Sequence, residues 1–318
     1  IKGHTIQTVA GDPGTIVDGL IWYDSVARKV QGSKTAAGSW ATGEALPAVM
    51  VKNAGAGTQT AAIVFGGLDA DGVADESYTY DGTDWTDIGA MTNNRQMLGG
   101  CGTSTAALGA GGYPVPARGA DTEEWNGSAW SETANLGTSR YGCHSAGTQT
   151  AALCITGHTY PGSETVDVEQ YDGSSWSQIA DVNTSRRQHA AAGTSTAALA
   201  IGGNNGGSVS DAVESWNGTA WTETHEINTA RDALGGDGTS TLALVWGGTS
   251  PARDETEVYD GSSWTESGDL NSGRWGTSGG GTTSSAVTAG GFVLPGNTAS
   301  TATEEWTQAS AAVTFTSS

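Results

Sequence analysis

Gly57-Thr58-Gln59-Thr60-Ala61-Ala62-Ile63-Val64-Phe65-Gly66-Gly67, followed by Tyr80-Asp81-Gly82-Thr83-Asp84-Trp85, decides the fold because both halves return along the chain. The first half recurs at 102–112, 147–157, 193–203, 238–248 and, more loosely, 281–291, in steps of 45, 45, 46, 45 and 43 residues. The second recurs as Trp125-Asn126-Gly127-Ser128-Ala129-Trp130 and again at 171–176, 216–221 and 259–264. A period near 45 with turn signals inside it predicts four short strands per unit, the size of a propeller blade.

The ends of the repeat fix the expected number of units. Trp40, Trp85, Trp130, Trp176, Trp221 and Trp264 each stand 17 residues before a Gly-Thr signal, yet Trp40 has no Gly-Gly segment before it. At the far end, 281–291 and Glu304-Glu305-Trp306 supply early strands of a last unit whose Trp position is Ala311. The two incomplete ends complement each other. The reading is an all-β, six-bladed propeller over 34–318, in which the Trp40 strand completes the sixth blade and leaves no open sheet edge. Residues 1–33 lie outside the repeat, as a short N-terminal arm. In it Leu20 to Ser25 and Arg28 to Gly32 flank a polar turn and read as a hairpin, with Trp22 and Tyr23 on its two faces.

Within a unit, 95–101 reads as an innermost strand a of small residues and 105–110 as an apolar strand b ending at Gly111-Gly112. Residues 123–125 read as strand c, Asn126-Gly127 as a two-residue hairpin turn with positive φ, and Ala129 opens strand d. Each Trp can bury about 150–250 Å², so the six are expected to pack blade against blade, with ligand stacking as the alternative.

Composition narrows the function. Thirteen Lys+Arg against 34 Asp+Glu give a formal charge of -21, which repels phosphate backbones and anionic membranes and suits a protein working in salty water. Nucleic-acid binding and membrane insertion are therefore not expected; no apolar run approaches the ~20 residues of a membrane helix. Cys101, Cys143 and Cys154 are odd in number and differ in register, so they read as buried fillers rather than a disulfide or metal framework. The start, Ile1-Lys2-Gly3-His4, has no signal-peptide pattern and reads as the product of a cut. No cofactor and no metal site is expected.

The order of signals over 46–306, Arg, small strand, apolar strand ending Gly-Gly, aromatic, turn, Trp, resembles the kelch repeat. Such a resemblance implies fold rather than activity. The Gly-Thr-Gln-Thr-Ala-Ala wording, the Asn/Asp-Gly-Ser-x-Trp turns and Gly19-Leu20-Ile21-Trp22-Tyr23-Asp24 further resemble kelch-like structural proteins of marine bacteriophages, often tail-fibre or capsid-appendage components. That resemblance implies a non-enzymatic virion protein, located on the extracellular particle as a tail fibre or capsid fibre. It implies contacts with other virion proteins through the arm, a homo-oligomer on the virion, and a loop face that meets host-surface glycan. The alternative is a secreted or cell-surface bacterial kelch-type lectin or adhesin, and a third reading is a glycan-active enzyme.

Enzymatic signals are weak. Asp172-Gly173-Ser174-Ser175-Trp176 is one residue shorter than a sialidase Asp box. His144 and His189 sit three and four residues before their Gly-Thr signals, so strand alternation sends them to opposite faces, and His158 and His225 read as loop residues. The sharpest polar pattern is Arg95, Arg140, Arg186, Arg231 and Arg274, each seven residues before the signal Gly. Glu123, Glu169, Glu214, Glu257 and Glu304 stand two residues before the strand-c aromatic in the same five units, while the unit with Met50 has Tyr78. Joint presence and joint loss point to structural pairs, with an anion-binding arginine ring as the alternative. Stated as substitutions, Arg186→Met destabilises and Arg186→Met with Glu169→Tyr, copying the first unit, recovers much of the loss. Variation concentrates after each Gly-Gly, in b–c loops where Tyr113, Tyr160, Asn204, Asn205 and Phe292 suit glycan contacts.

Overall fold

A computed structural model describes residues 7–10, 21–114, 119–249 and 253–314. Among these residues every regular element is a β-strand. In unit 1, strands a to d are Ala54–Thr58, Ala61–Leu68, Val73–Tyr80 and Trp85–Ala90, paired in that order into an antiparallel sheet. Units 2 to 5 repeat the plan over 99–132, 144–178, 190–223 and 235–266. The sheet with strands Ser278–Thr282, Ser285–Ala289 and Thr303–Thr307 takes its fourth strand, Ser39–Gly43, from the other end of the chain, with Trp40 opposite Trp306. Each strand a lies against the strand a of the next unit, and that of unit 6 lies against that of unit 1. The sheets therefore stand in a propeller-like arrangement.

Strand a is shorter than the sequence suggests. In unit 2 it spans Gly99–Thr103, and 95–98 do not join it, because Met97 takes a left-handed φ of 55°. The equivalent residues Lys52, Gly142, Gln188, Ala233 and Gly276 have φ between 51° and 65°. This conformation turns each peptide toward its neighbour. Met97 N–H donates to Lys52 O at 2.8 Å, Gly142 to Met97 at 2.7 Å, Gln188 to Gly142 at 2.7 Å, Ala233 to Gln188 at 2.7 Å, Gly276 to Ala233 at 2.9 Å and Lys52 to Gly276 at 2.6 Å. Six peptides thus hydrogen-bond head to tail around the axis.

A second set of bonds lies outside the first. The second glycine of each Gly-Gly pair, or Gly157 after Thr156 in unit 3, donates to the carbonyl of the next unit's Arg: Gly67 to Arg95, Gly112 to Arg140, Gly157 to Arg186, Gly203 to Arg231 and Gly248 to Arg274, at 2.7–2.9 Å. Gly291 donates to Met50 at 2.8 Å, joining unit 6 to unit 1. Glycine is required here: Gly67 has φ 106°, and a Cβ added to it would sit 2.6 Å from Val51 O.

The c–d turn differs from the expected two-residue hairpin. Trp125 pairs with Trp130, so the loop has four residues, and only Gly127 has positive φ in it. Asn126 Oδ1 accepts the N–H groups of Ser128 and Ala129, both at 3.0 Å, which lets a side chain perform the reversal.

The tryptophans join neighbouring sheets. Trp130 Nε1 donates to Ser77 Oγ of unit 1 (3.0 Å), Trp176 to Thr122 Oγ1 of unit 2 (3.1 Å), Trp40 to Thr256 Oγ1 of unit 5 (2.8 Å) and Trp85 to Thr303 Oγ1 of unit 6 (2.9 Å). Each acceptor stands one residue before the strand-c Glu, or before Tyr78 in unit 1. Units 3 and 4 have Val168 and Val213 there. Trp264 turns to His225 O at 2.9 Å, while Trp221 Nε1, which packs in the cluster containing Val168, is buried without an acceptor among the described residues.

The arm is part of a separate four-stranded sheet. Gln7–Val9 pairs with Ile21–Asp24, which forms a hairpin with Lys29–Thr35, and this last strand pairs with Ser310–Thr314. The expected division at residue 33 falls inside Lys29–Thr35, and the C-terminal strand joins the N-terminal hairpin, whose Leu20 lies outside the described residues. Both connections leave unit 6 at its a–b turn end, where Thr307 pairs with Ser285 and Ser39. The b–c loop leaves from the opposite end, where Thr303 pairs with Ala289.

The missing acceptor gives a direct test of the tryptophan locks. Val168→Thr is expected to raise unfolding free energy by about 1 kcal/mol, the net worth of one hydrogen bond. Val213→Thr buries a hydroxyl beside an indole already bonded elsewhere and is expected to lower stability. Equal losses in urea-unfolding midpoints for both variants would show that the seams are held by packing alone.

Candidate functional site

The five arginines are fully buried and bound within their own units. Arg95 Nη2 lies 3.0 Å from Glu123 Oε1, Arg140 2.6 Å from Glu169, Arg186 2.6 Å from Glu214 and Arg231 2.7 Å from Glu257, while Arg274 pairs with Glu304. Nη1 of each Arg also reaches two carbonyls, in unit 4 those of Gly202 (3.0 Å) and Ala212 (2.8 Å), tying the end of strand b to strand c. The second Glu oxygen accepts a main-chain N–H from the preceding turn, as Glu214 does from Asn183 at 2.6 Å. Burial pushes the guanidinium pKa values of Arg95, Arg186, Arg231 and Arg274 down, against the pull of the paired carboxylates. Nothing of these side chains is left for a ligand: their relative exposure is 0–1%. The coupling of Arg186 with Glu169 is corrected: Glu169 belongs to unit 3 and serves Arg140, and the partner of Arg186 is Glu214. In unit 1, Met50 and Tyr78 fill the same space as members of one apolar cluster.

Variable chemistry begins immediately outside this scaffold. The residue after each Arg, or after Met50, is bridged to the first residue after the Gly-Gly pair. The rungs are Val51/Leu68, Gln96/Tyr113, Tyr141/His158, Arg187/Asn204 and Trp275/Phe292, and in unit 5 Thr249 N–H donates to Asp232 O at 2.8 Å. All lie at the b–c end of their sheets. The sequence reading found Tyr113, Asn204 and Phe292 but missed their partners, because the residue after Arg was assigned to strand a; the variability of that position was the available signal.

Two aromatic groups result. Phe292 stacks on Trp275 with ring centroids 4.5 Å apart, and Lys52 Nζ lies 5.7 Å from the Trp275 ring; burial lowers the pKa of Lys52. Tyr113 meets Tyr141 edge-on at 5.9 Å, and Tyr141 lies 5.0 Å from His158. His158, placed in a loop by the sequence reading, is in strand Ala151–Thr159. Its Nδ1 lies 3.2 Å from Glu164 Oε1, which is 3.3 Å from Arg187 Nε. Asn204 Nδ2 donates to Asp232 Oδ2 at 3.3 Å. Tyr160 is exposed, and Asn205 is used in its own turn, accepting from Gly207 and Ser208 N–H.

His144 and His189 also need correction. Their rings meet at 5.6 Å. His144 opens strand His144–Thr148, but His189 stands one residue before strand Ala190–Thr194, so alternation along a strand does not place it, and the two rings meet where neighbouring units pack together. His189 Nδ1 contacts Thr156 Oγ1 at 3.3 Å and its Nε2 is buried without a partner among the described residues. Burial pushes His144 down to about 4 and His189 well below its ordinary value. His144 also borders a cavity of about 80 Å³ among the strands a, with Asn53, Ser145, Asp237 and Ser278. The amide of Asn53 and the two serine hydroxyls have no hydrogen-bond partner among the described residues, the chemistry of a hydrated core. Burial holds Asp237 up at about 6 although it accepts Gly238 and Gly281 N–H groups. The three cysteines are buried. Among the described residues no group of three or more His, Cys, Asp or Glu is placed to hold a metal ion.

These four-stranded sheets, set strand a against strand a, define an all-β protein of propeller-like architecture. The structure is similar to that of YjhT, with a TM-score of 0.69 and 14% identity over 82% of this chain and 95% of that one. At that identity the likeness speaks for the fold alone. No protein-family model matches the chain, and no curated protein sequence matches it.

Two predictions follow from the buried groups. Arg186→Met is expected to cost about 3–5 kcal/mol by stranding Glu214, and Arg186→Met with Glu214→Tyr, copying unit 1, to recover much of it. Arg186→Met with Glu169→Tyr should instead lose more, since it breaks two pairs; additivity in the Glu214 cycle, read from chemical denaturation, would contradict the coupling of Arg186 to Glu214. The histidines are neutral in the fold, so their contribution is complete above the unfolded pKa near 6.5 and is lost as pH falls toward about 4. Asp237 acts in the opposite sense, losing its contribution as pH rises through about 6. Replacing His144→Ala and His189→Leu, the residues of other units, should therefore flatten the acid limb relative to the parent chain; an unchanged difference between pH 7 and pH 4.5 would contradict the burial of the pair.

Proposed function

We propose that this chain is a six-bladed kelch-type propeller, closed by Ser39–Gly43, that serves as a non-enzymatic structural protein of a virion appendage. In this reading the arm sheet attaches to other virion proteins or to further copies of the chain, and the rim of rungs meets a host-surface glycan or a neighbouring protein. The observation that carries it is polarity: both chain ends leave the repeat at the a–b turn end, whereas the variable rungs gather at the other end. A body anchored at one end and variable at the other suits presentation. The resemblance of the repeat wording to that of marine phage structural proteins supports the virion setting, and so does a charge of -21, which is least costly where salt screens it.

Fractionating a culture of the organism that carries the gene, with blotting by an antibody to the full chain, tests the setting. Co-sedimentation with particles and gold labelling of their appendages is the expected result. Label confined to bacterial cell surfaces would overturn the virion assignment in favour of a surface lectin or adhesin.

A further inference from the structure

We propose that the seam between units 2, 3 and 4 is a binding site for a neutral hexose unit of a glycan. This deepens the reading of the rim as a recognition surface and rests on it. Tyr113, 43% exposed, and Tyr141 meet at 76° between ring planes, forming a corner with a floor and a wall. The apolar C–H face of a pyranose fits such a corner, since both rings offer large rigid area at little entropic cost. Beyond Tyr141 the surface turns polar without becoming charged overall. Arg187 Nε lies 3.3 Å from Glu164 Oε1 as an ion pair without a hydrogen bond, no hydrogen bond of the guanidinium is found among the described residues, and His158 contacts the same carboxylate. A planar fork of donors beside an acceptor-rich carboxylate matches adjacent sugar hydroxyls, which both donate and accept.

Electrostatics select the neutral class. Glu164 already neutralises Arg187, Asp232 lies in the next rung, and the chain carries -21, so an anionic sugar meets net repulsion that a neutral one does not. The Trp275/Phe292 rung lacks this set: its rings stack on each other, Lys52 lies over them, and Trp275 Nε1 is spent on Asn297 Oδ1 at 3.0 Å.

The test is saturation-transfer NMR and calorimetry of the full chain with a panel of neutral hexose tetrasaccharides (gluco-, manno- and galacto-) and, as anionic probe, tetragalacturonate. At least one neutral tetrasaccharide is expected to bind. Tyr141→Ala and Arg187→Gln should each weaken it at least tenfold with melting temperature unchanged, and Trp275→Leu should leave it within twofold. Binding lost with Trp275→Leu but kept with Tyr141→Ala would overturn this site while leaving glycan recognition by the rim intact. Binding of tetragalacturonate alone would overturn the neutral assignment. If no saccharide binds but the labelled chain adsorbs to host cells and Tyr113→Ala abolishes adsorption, the saccharide inference fails and rim recognition stands. Failure of both would sink the two together.

Discussion

Six left-handed residues, each donating its N–H to the carbonyl of its counterpart one unit earlier, are the constraint on which the other contacts depend. A left-handed conformation costs an L-residue about 1–2 kcal/mol, and four of the six are not glycine. The cost is offset because the same turn sends the preceding Arg carbonyl back to the previous unit's glycine and the Arg side chain forward into its own sheet. One residue thereby joins two units through its backbone and closes its own unit through its guanidinium. The buried ion pair makes sense as a geometric part rather than an energetic reserve, because an apolar pair does the same job where Met50 and Tyr78 stand. The hydrogen bonds that run from unit 6 to unit 1, through Gly291 and Lys52, are as short as those within the series.

This division of labour frees the rim. With the Arg, Glu, Gly-Gly and Trp positions committed to the scaffold, the residues directly after Arg and after Gly-Gly face the same end, and most of them are half-buried or exposed, Val51, Gln96 and Asp232 being the buried ones. They can therefore differ from rung to rung, and a run of aromatic, imidazole, guanidinium and amide groups follows along three consecutive units. The turn end is the opposite in character. Its Asp81, Asp172 and Asp260 carboxylates are held low by their own turns' hydroxyls and N–H groups, and Asn126 and Asn217 accept the same turn N–H groups in the other units, a repeated local motif. Function, on the proposed reading, is thus assigned to the end where the repeat is least regular.

Much of the fold was legible because its determinants are periodic. The spacing of Gly-Gly, the turn residues and Trp placed the strands, and the mismatch between Trp40 and Ala311 pointed to the chain's two ends. Pairing of Arg with Glu was legible from their joint loss in the Met50 unit, although the numbering of one pair crossed a unit boundary. What failed was local three-dimensional geometry. Nothing in the sequence marks Met97, Gln188 or Ala233 as left-handed, since that conformation is imposed by the neighbouring peptide, and overlooking it absorbed the rung residues into strand a. The meeting of His144 and His189 failed for a related reason: alternation describes one sheet, whereas contact between them requires knowing how two sheets face. The joining of Ser310–Thr314 to the arm lay outside the repeat, where periodicity has nothing to say.

Residue-resolved hydrogen exchange at the six ring amides tests the central claim most directly. If the peptides of Lys52, Met97, Gly142, Gln188, Ala233 and Gly276 form one cooperative ring, all six exchange only through global unfolding, with protection free energies equal to one another and to the stability measured by denaturant. Lys52, at the junction of the chain's two ends, should be protected as well as Gln188 in the middle. Faster exchange at Lys52 and Gly276 than at the other four, independent of denaturant, would contradict the account and show that the units are joined in a row whose ends merely touch.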